Sequence, residues 1–384
     1  MNTAIRTHGF SESVIRGMTR LANEHDAINL AQGFPNFATP EVLKEAAVTA
    51  IREDVNQYAI TWGAQRLRDI LSRKYWDWYG MDVDPATEIT ITCGSTEAMA
   101  ATLLAIANPG DEVIVFEPFY ENYGPDTILC DAMPVYVPIA LGQELDTDQL
   151  TAAFSARTRA IVVNTPNNPT GKVFTSIELE AIADLCQRYD AYAVTDEIYE
   201  HIVYEGRHIP IATLPGMRDR TITISGASKT FSATGWRVGT IIAPPPVTSA
   251  IRKVHDFLTV GAPAPLQEGV AAGLEQLGTD YYATLLADYR VRRNVICRGL
   301  AAAGFRCNPP AGSYYVLADF SDLSDLPDDQ FSVWLTKEKG VAVVPGSSFY
   351  SSAPLECKLI RFAFCKTVDV LEEAVARLMT TRSA

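Results

Sequence analysis

The chain has 384 residues, 47% of them hydrophobic and 20% charged, with a formal net charge of −14. This is the composition of an ordinary soluble globular enzyme, and the length exceeds what one hydrophobic core organises, so two domains are expected. The acidic balance argues against broad binding to nucleic acid or an anionic membrane surface, without excluding a local cationic pocket.

Seven scattered cysteines form no CxxC pair and five histidines form no HxxxH pattern, so no metal site is expected and a reducing cytoplasm is. The first residues lack the unbroken apolar core of a signal peptide, and the longest apolar run, 98–107, is too short to span a bilayer. The expectation is a soluble cytoplasmic protein.

Val14, Ile15, Met18 and Leu21 fall at helical spacing and predict a helix over 12–23. The run 28–37 is extended and then broken by Gly33 and Pro35 into a loop. Thr39-Pro40-Glu41 predicts a helix start with a hydroxyl cap and proline in the first helical position. A loop over 56–63 precedes a long helix from about 64 to 79.

From residue 88 the pattern alternates between strands and helices. Strands are predicted at 89–92, 112–116, 135–137, 160–163, 191–195 and 221–224, and helices at 97–107 and 176–189. Residues 164–172 are too dense in turn formers for regular structure. Apolar strands separated by helices imply a mostly parallel sheet covered on both faces. After Pro244-Pro245-Pro246 the chain turns helical, with a long helix over roughly 279–301. A smaller α+β section follows, with strands at 314–317, 341–344 and 359–362.

In a doubly wound sheet, ligands bind outside the carboxyl ends of the strands. That rule gathers Gly94, Ser95, Thr96, Tyr120, Asn168, Asp196, Tyr199 and Lys229, all of which follow a predicted strand. Each has a plain reading. Lys229 alone is a solvated loop lysine, Ser95 and Thr96 are helix caps, Asp196 is a strand-end aspartate, and Asn168 before proline is a turn signal. Tyr199 is a packing residue, and Tyr120 competes with Phe119 for a core position. The chemical readings are different. A desolvated lysine becomes an amine nucleophile able to form a Schiff base with an aldehyde cofactor. Hydroxyls, a helix N-terminus and Arg237 would hold a phosphate. Asp196 would keep a heteroaromatic nitrogen protonated, Tyr199 would donate to a phenolate oxygen, and Tyr120 would stack on the ring. Arg361, inside the apolar strand 359–364, needs an anion: either a bidentate substrate carboxylate or a structural Asp or Glu.

The joint set is more specific than its parts: NNPTG at 167–171, Asp196-Glu197-Ile198-Tyr199, Ser228-Lys229-Thr230-Phe231 and GWRVG at 235–239. It resembles the fold-type I pyridoxal-phosphate aminotransferases of class I/II. The segments NLAQGFPNF (29–37), NQYA (56–59) and EPFYENY (117–123) are similar to the branch holding kynurenine, glutamine and methionine aminotransferases. The resemblance implies an aspartate-aminotransferase-like α/β fold, in which a large domain with a seven-stranded, mostly parallel sheet is joined to a smaller α+β domain. The corresponding ranges are 1–40 for an N-terminal arm shared with the small domain, 41–282 for the large domain and 283–384 for the small one.

It further implies pyridoxal 5'-phosphate as cofactor, with Lys229, Asp196 and Tyr199 catalytic. Gly94, Ser95, Thr96, Tyr120, Asn168, Ser228 and Arg237 would join them in holding the cofactor. Arg361, Asn168 and the backbone at Gly33 would bind the substrate, and Tyr58 would reach the phosphate of a partner subunit in a homodimer. One position departs from the family pattern: Gly226 stands three residues before the lysine, where a phosphate-binding serine is usual, and Ser225 and Ser228 flank it. The implied reaction is transamination between an L-amino acid, aromatic or large and apolar, and a 2-oxo acid. The alternatives are another Cα-carbanion reaction (β-elimination, γ-replacement or condensation) or a regulator using the fold without catalysis. Such a regulator needs a basic DNA-binding extension, and none is expected here.

Overall fold

The computed structural model describes residues 3–352 and 357–380. Its strands, in chain order, are β1 (Ile28–Asn29), β2 (Ile89–Thr92), β3 (Glu112–Glu117), β4 (Met133–Pro138), β5 (Thr158–Asn164), β6 (Tyr192–Asp196), β7 (Thr221–Gly226), β8 (Gly239–Ile242), β9 (Tyr315–Asp319), β10 (Val341–Ala342), β11 (Val344–Pro345) and β12 (Leu359–Ala363). Seven of them form one sheet in the order β2-β8-β7-β6-β5-β3-β4, and only β8 runs antiparallel to its neighbours. Every residue of β2, β3 and β8 is buried, as an apolar strand covered by helices on both faces requires. One apolar layer packs helix Gly94–Ile106 against Val113, Val162, Val194 and Ile224, and another packs helix Ser176–Tyr189 against Ile114, Ile161 and Ala193.

β9, β11 and β12 form a three-stranded antiparallel sheet that places Arg361 opposite both Leu317 and Val344. Its core also takes Leu285, Tyr289, Ile296 and Leu300 from the long helix Thr279–Ala302, and Leu30 from the N-terminal segment. The single strand expected at 341–344 is two strands. β10 pairs in parallel with β1, Ile28 opposite Val341, and β11 turns away to pair with β12.

Three details differ from the sequence reading. β8 had no counterpart in it, because four residues directly after a Gly-rich turn carry too little periodicity to be read as a strand. Helix Gly94–Ile106 starts three residues earlier than the apolar run suggests, which puts Ser95 and Thr96 inside its first turn. Pro40 is the cap of helix Glu41–Arg52 rather than its first residue, and the Thr39 hydroxyl donates to the Ser232 carbonyl at 3.0 Å instead of capping.

Candidate active site

β5, β6 and β7 end at one edge of the large sheet, and each end hands a polar residue to the same cavity. The cavity encloses about 450 Å³ and is lined by eleven of the thirteen predicted site residues: Gly33, Ser95, Thr96, Tyr120, Asn168, Asp196, Tyr199, Ser228, Lys229, Arg237 and Arg361. A larger cavity of about 560 Å³ opens beside Lys172, Arg306 and Asn308. Its cations are already paired, Lys172 with Glu178 at 2.7 Å and Arg306 with Asp319 at 3.2 Å. It gathers no comparable set of reactive groups.

Lys229 leaves β7 through the single helical turn Ala227–Thr230. Its Nζ donates to the Gly33 carbonyl at 3.1 Å and lies over the rings of Tyr199 and Tyr314 at 5.8 and 5.7 Å. Burial among these groups lowers its pKa to about 8, against the opposing pull of Cys365 and Asp196. An amine near that value is a usable nucleophile and base close to neutral pH.

Asp196 ends β6. Its Oδ2 accepts the Tyr123 hydroxyl at 2.8 Å and its Oδ1 accepts the Ile198 N–H at 3.3 Å. Burial raises its pKa, and these two donors and the Lys229 charge oppose that rise. The Tyr199 hydroxyl meets the Tyr315 hydroxyl at 3.1 Å. Asn168, in the irregular segment after β5, is fixed by its N–H on Asn164 Oδ1 at 2.7 Å. Its own Oδ1 accepts Arg361 Nη1 at 2.8 Å.

Arg361 is fully buried on β12. Besides Asn168 it donates through Nη2 to the Ala31 carbonyl at 2.5 Å and lies over the rings of Tyr315 and Phe349 at 4.4 and 4.9 Å. Its Nε has no partner, and no Asp or Glu pairs with the guanidinium among the described residues. Of the two partners left open by the sequence, the structural carboxylate is absent there, so a ligand anion is the one the geometry supports.

At the other end of the cavity, Ser95 and Thr96 open helix Gly94–Ile106, with Ser228 and Arg237 beside them. Gly94 does not line the cavity. It has φ +81°, and a Cβ there would lie 2.3 Å from Arg237 Nη2, so the glycine makes room for that cation beside the helix start. A helix N-terminus, three hydroxyls and an arginine form a phosphate cradle in chemical terms. Together with a buried carboxylate and an amine that pairs with no carboxylate, this donor set fits pyridoxal 5'-phosphate.

Gly226 has a packing reason. A Cβ there would meet the Val238 carbonyl oxygen at 2.8 Å and Gly239 Cα at 3.1 Å, so β8 leaves no room for a serine. Ser225 does not replace it. Its hydroxyl donates to Glu200 at 2.8 Å behind the sheet end, away from the cavity. Ser228 is the flanking hydroxyl that faces in. Tyr58 lies elsewhere, 85% exposed in the loop before helix Gln65–Tyr79, beside a separate cavity. Gly33 lines the site, but its carbonyl is taken by Lys229 and by the Tyr314 hydroxyl at 2.8 Å. Among the nearby aromatic side chains, Phe34, Tyr120 and Tyr123 line the cavity. Trp62 does not, and packs under Arg252. Phe119 is core, against Tyr136, which leaves the half-buried Tyr120 as the ring of the pair that lines the cavity.

Sequence reasoning did not single out Tyr315, Gln32, Ser13 or Glu121, all of which line the cavity. Ser13 donates to Glu121 across the mouth. These residues belong to elements that reach the site only through tertiary packing.

The profile of the aminotransferase class I and II family matches residues 25–378. A probable N-succinyldiaminopimelate aminotransferase of Mycobacterium tuberculosis is 37% identical, over 98% of this chain and 98% of its own length. Human kynurenine–oxoglutarate transaminase 1 is 37% identical over 93% of this chain and 94% of its own. The solved structure of a methionine aminotransferase from Escherichia coli superposes with a TM-score of 0.94 at 34% identity, covering 99% of this chain and 100% of that one.

Proposed function

The chain belongs to the class I and II aminotransferases, enzymes that move an amino group between an amino acid and a 2-oxo acid, and from that premise we propose how its own residues do so. Members of the family generally depend on pyridoxal 5'-phosphate. We assign that cofactor to the cavity around Lys229, where Ser95, Thr96, Ser228 and Arg237 would hold its phosphate, Tyr120 would meet its ring and Asp196 its ring nitrogen. The observation that carries this reading is the facing pair of unmet needs: a buried arginine Nε without an acceptor and a lysine amine without a carboxylate, on one cavity.

When bound, the cofactor supplies an aldehyde that exchanges amines and a pyridine ring that takes up the electron pair left when a Cα–H bond breaks. The protein does the rest. Arg361 receives the substrate α-carboxylate, and Asn168 holds the guanidinium in place through Nη1. That grip turns the Cα–H bond toward Lys229. Burial keeps the amine unprotonated often enough to accept the Cα proton at Nζ and to return a proton on the far side of the reaction. Asp196, fixed by Tyr123, would hold the cofactor's ring nitrogen, and a cation there would offset the burial that raises its pKa and keep the carboxylate charged. Tyr199 donates its hydroxyl proton to the Tyr315 oxygen and, with the cofactor bound, would offer it to the ring oxygen instead.

Ile15, Phe34, Tyr120, Tyr123 and Tyr315 on the walls support an aromatic or large apolar amino donor. A homodimer is proposed as well, with Tyr58 reaching the partner's phosphate. It is supported by Tyr58 and Phe257, which are 85% and 92% exposed on the single chain. The division at 41–282, with 1–40 and 283–384 forming the second domain, draws support from the separate core around β9, β11 and β12 that includes Leu30. No helix among the described residues is long and apolar enough to cross a membrane, and seven free cysteines support a cytoplasmic setting.

Replacing Lys229 by Ala tests the assignment. Covalent retention of the cofactor and turnover should both be lost, while cofactor still binds through the phosphate cradle. A variant with turnover near the parent's would overturn it.

A further inference from the structure

His255 is fully buried on helix Pro245–Leu258, 158 residues from its partner Glu97 in sequence. Its Nδ1 meets Glu97 Oε1 at 2.5 Å and its Nε2 meets the Thr61 carbonyl at 2.8 Å. Both neighbours are acceptors without a proton to give. A neutral imidazole has one N–H and one lone pair, so it would face one of these oxygens with its lone pair; only the imidazolium donates to both.

Glu97 sits in the first turn of helix Gly94–Ile106 and also accepts the Cys93 N–H at 2.5 Å and the Thr259 hydroxyl at 2.8 Å. It therefore grips the turn that carries Ser95 and Thr96. Thr61 belongs to the loop 53–64 that carries Tyr58. That loop is also held by the Ile91 N–H on the Trp62 carbonyl at 3.0 Å, by Gln267 on the Ala64 N–H at 2.8 Å, by Arg68 on the Gly63 carbonyl at 3.0 Å and by Arg252 over the Trp62 ring. His255 joins the cavity's phosphate end to this loop through Glu97 and Thr61.

We propose that His255 is a positioning residue: as an imidazolium it clamps the turn Cys93–Thr96 to the loop 53–64, so that cofactor retention weakens as rising pH removes its proton. The proposal rests on the reading that Ser95 and Thr96 hold the phosphate. The groups facing His255 are Glu97 from helix Gly94–Ile106, the Thr61 carbonyl from the loop, Thr259 and Asp256 from its own helix end, and Cys93 behind Glu97. Arg237 lies beyond Cys93, donating to its carbonyl at 3.5 Å, and Arg252 lies one turn back, on the Trp62 ring. Burial disfavours the charged ring, but Glu97 and the Thr61 carbonyl outweigh it and raise the His255 pKa above 6.5. A group with a raised folded-state pKa contributes fully below its unfolded value and is lost as pH rises through the folded one. The clamp is closed below pH 6.5 and opens as pH rises through the raised value.

Three readouts on the holoenzyme test this. In protein labelled with ¹⁵N-histidine, the signals assigned by difference against His255→Gln should report two protonated ring nitrogens at pH 6, with the Nε2 or Nδ1 proton lost only at higher pH. The His255→Gln variant should exchange backbone amides of residues 56–64 faster. It should also release pyridoxal phosphate about tenfold more readily near pH 6, the worth of one charge-assisted hydrogen bond, with the ratio falling toward one near pH 9.5. Should that variant fold poorly, Glu97→Gln gives the second arm: the His255 titration should move to lower pH and the alkaline release with it. A neutral ring at pH 6, unchanged exchange in the loop, or a release ratio that does not vary with pH would each overturn the proposal. Failure of the cofactor assignment would instead appear as cofactor binding that ignores Lys229 while the ring signals remain as described.

Discussion

Arg361 is the clearest case of one side chain defining what a site must receive. Its two terminal nitrogens each give one bond, to Asn168 and Ala31, and its Nε–H is buried and unmet. Arg361→Ala should raise KM for the amino acid about 100-fold or more, the usual size of losing a buried charge pair, with a smaller fall in kcat. Steady-state kinetics on donor and acceptor check this, and a KM within a few-fold of the parent's would assign the arginine to structure alone.

Lys229 carries a second prediction. Its folded-state pKa, about 8, lies below the 10.5 of an unperturbed lysine, so between those values the unfolded chain holds a proton that the native chain has lost. Stability of the cofactor-free protein should therefore rise with pH over that interval and be at its lowest below it. Lys229→Met should stabilise the cofactor-free chain by about 1–3 kcal/mol at pH 7 and flatten the alkaline rise, as read by urea unfolding across pH.

Elements set where these residues stand, and here the sequence was legible to different depths. Asp196 and Lys229 were readable because each interrupts an apolar strand pattern at its carboxyl end, which is where a parallel sheet opens its ligand edge. Arg361 was readable because a cation inside an apolar strand needs an explanation. Tyr315, Glu121, Ser13 and the Glu97–His255 pair were not, because their roles come from packing between segments far apart in sequence. The split of 341–344 into β10 and β11 was hidden for the same reason, since alternation within four residues does not say which neighbour each half will choose. Gly226 became intelligible only with β8 in place, as β8 fills the space a serine would need.

The same scale explains a buried cluster behind the catalytic strand ends. Glu200 accepts Lys74 Nζ at 2.6 Å, the Ser225 hydroxyl at 2.8 Å and the Tyr79 hydroxyl, and so ties helix Gln65–Tyr79 to β7 and to the segment after β6. Burial opposes the Glu200 charge, but Lys74 and the nearby histidines hold its pKa well below the usual carboxylate range. Glu200→Ala leaves the Lys74 ammonium in place with only a tenth of its side chain exposed, and should destabilise the fold by about 3–5 kcal/mol in denaturant titration. A loss under 1 kcal/mol would mean that Lys74 finds solvent.

At the scale of the whole molecule, the site is assembled from both sheets. The large sheet brings Lys229, Asp196 and the phosphate cradle. The three-stranded sheet and the N-terminal segment bring Arg361 and Gly33, linked where the Ala363 N–H meets the Leu30 carbonyl at 2.8 Å. Neither part lines the cavity alone, so the proposed substrate grip and proton transfer require the two to stay packed together. The central claim is that this assembly moves an amino group rather than expelling one, and a single half-reaction tests it most directly. Holoenzyme given an amino acid and no 2-oxo acid acceptor should release one 2-oxo acid per active site, stop, and free no ammonia. Continued release of ammonia beyond one equivalent per site would contradict the account and assign the same residues to an elimination.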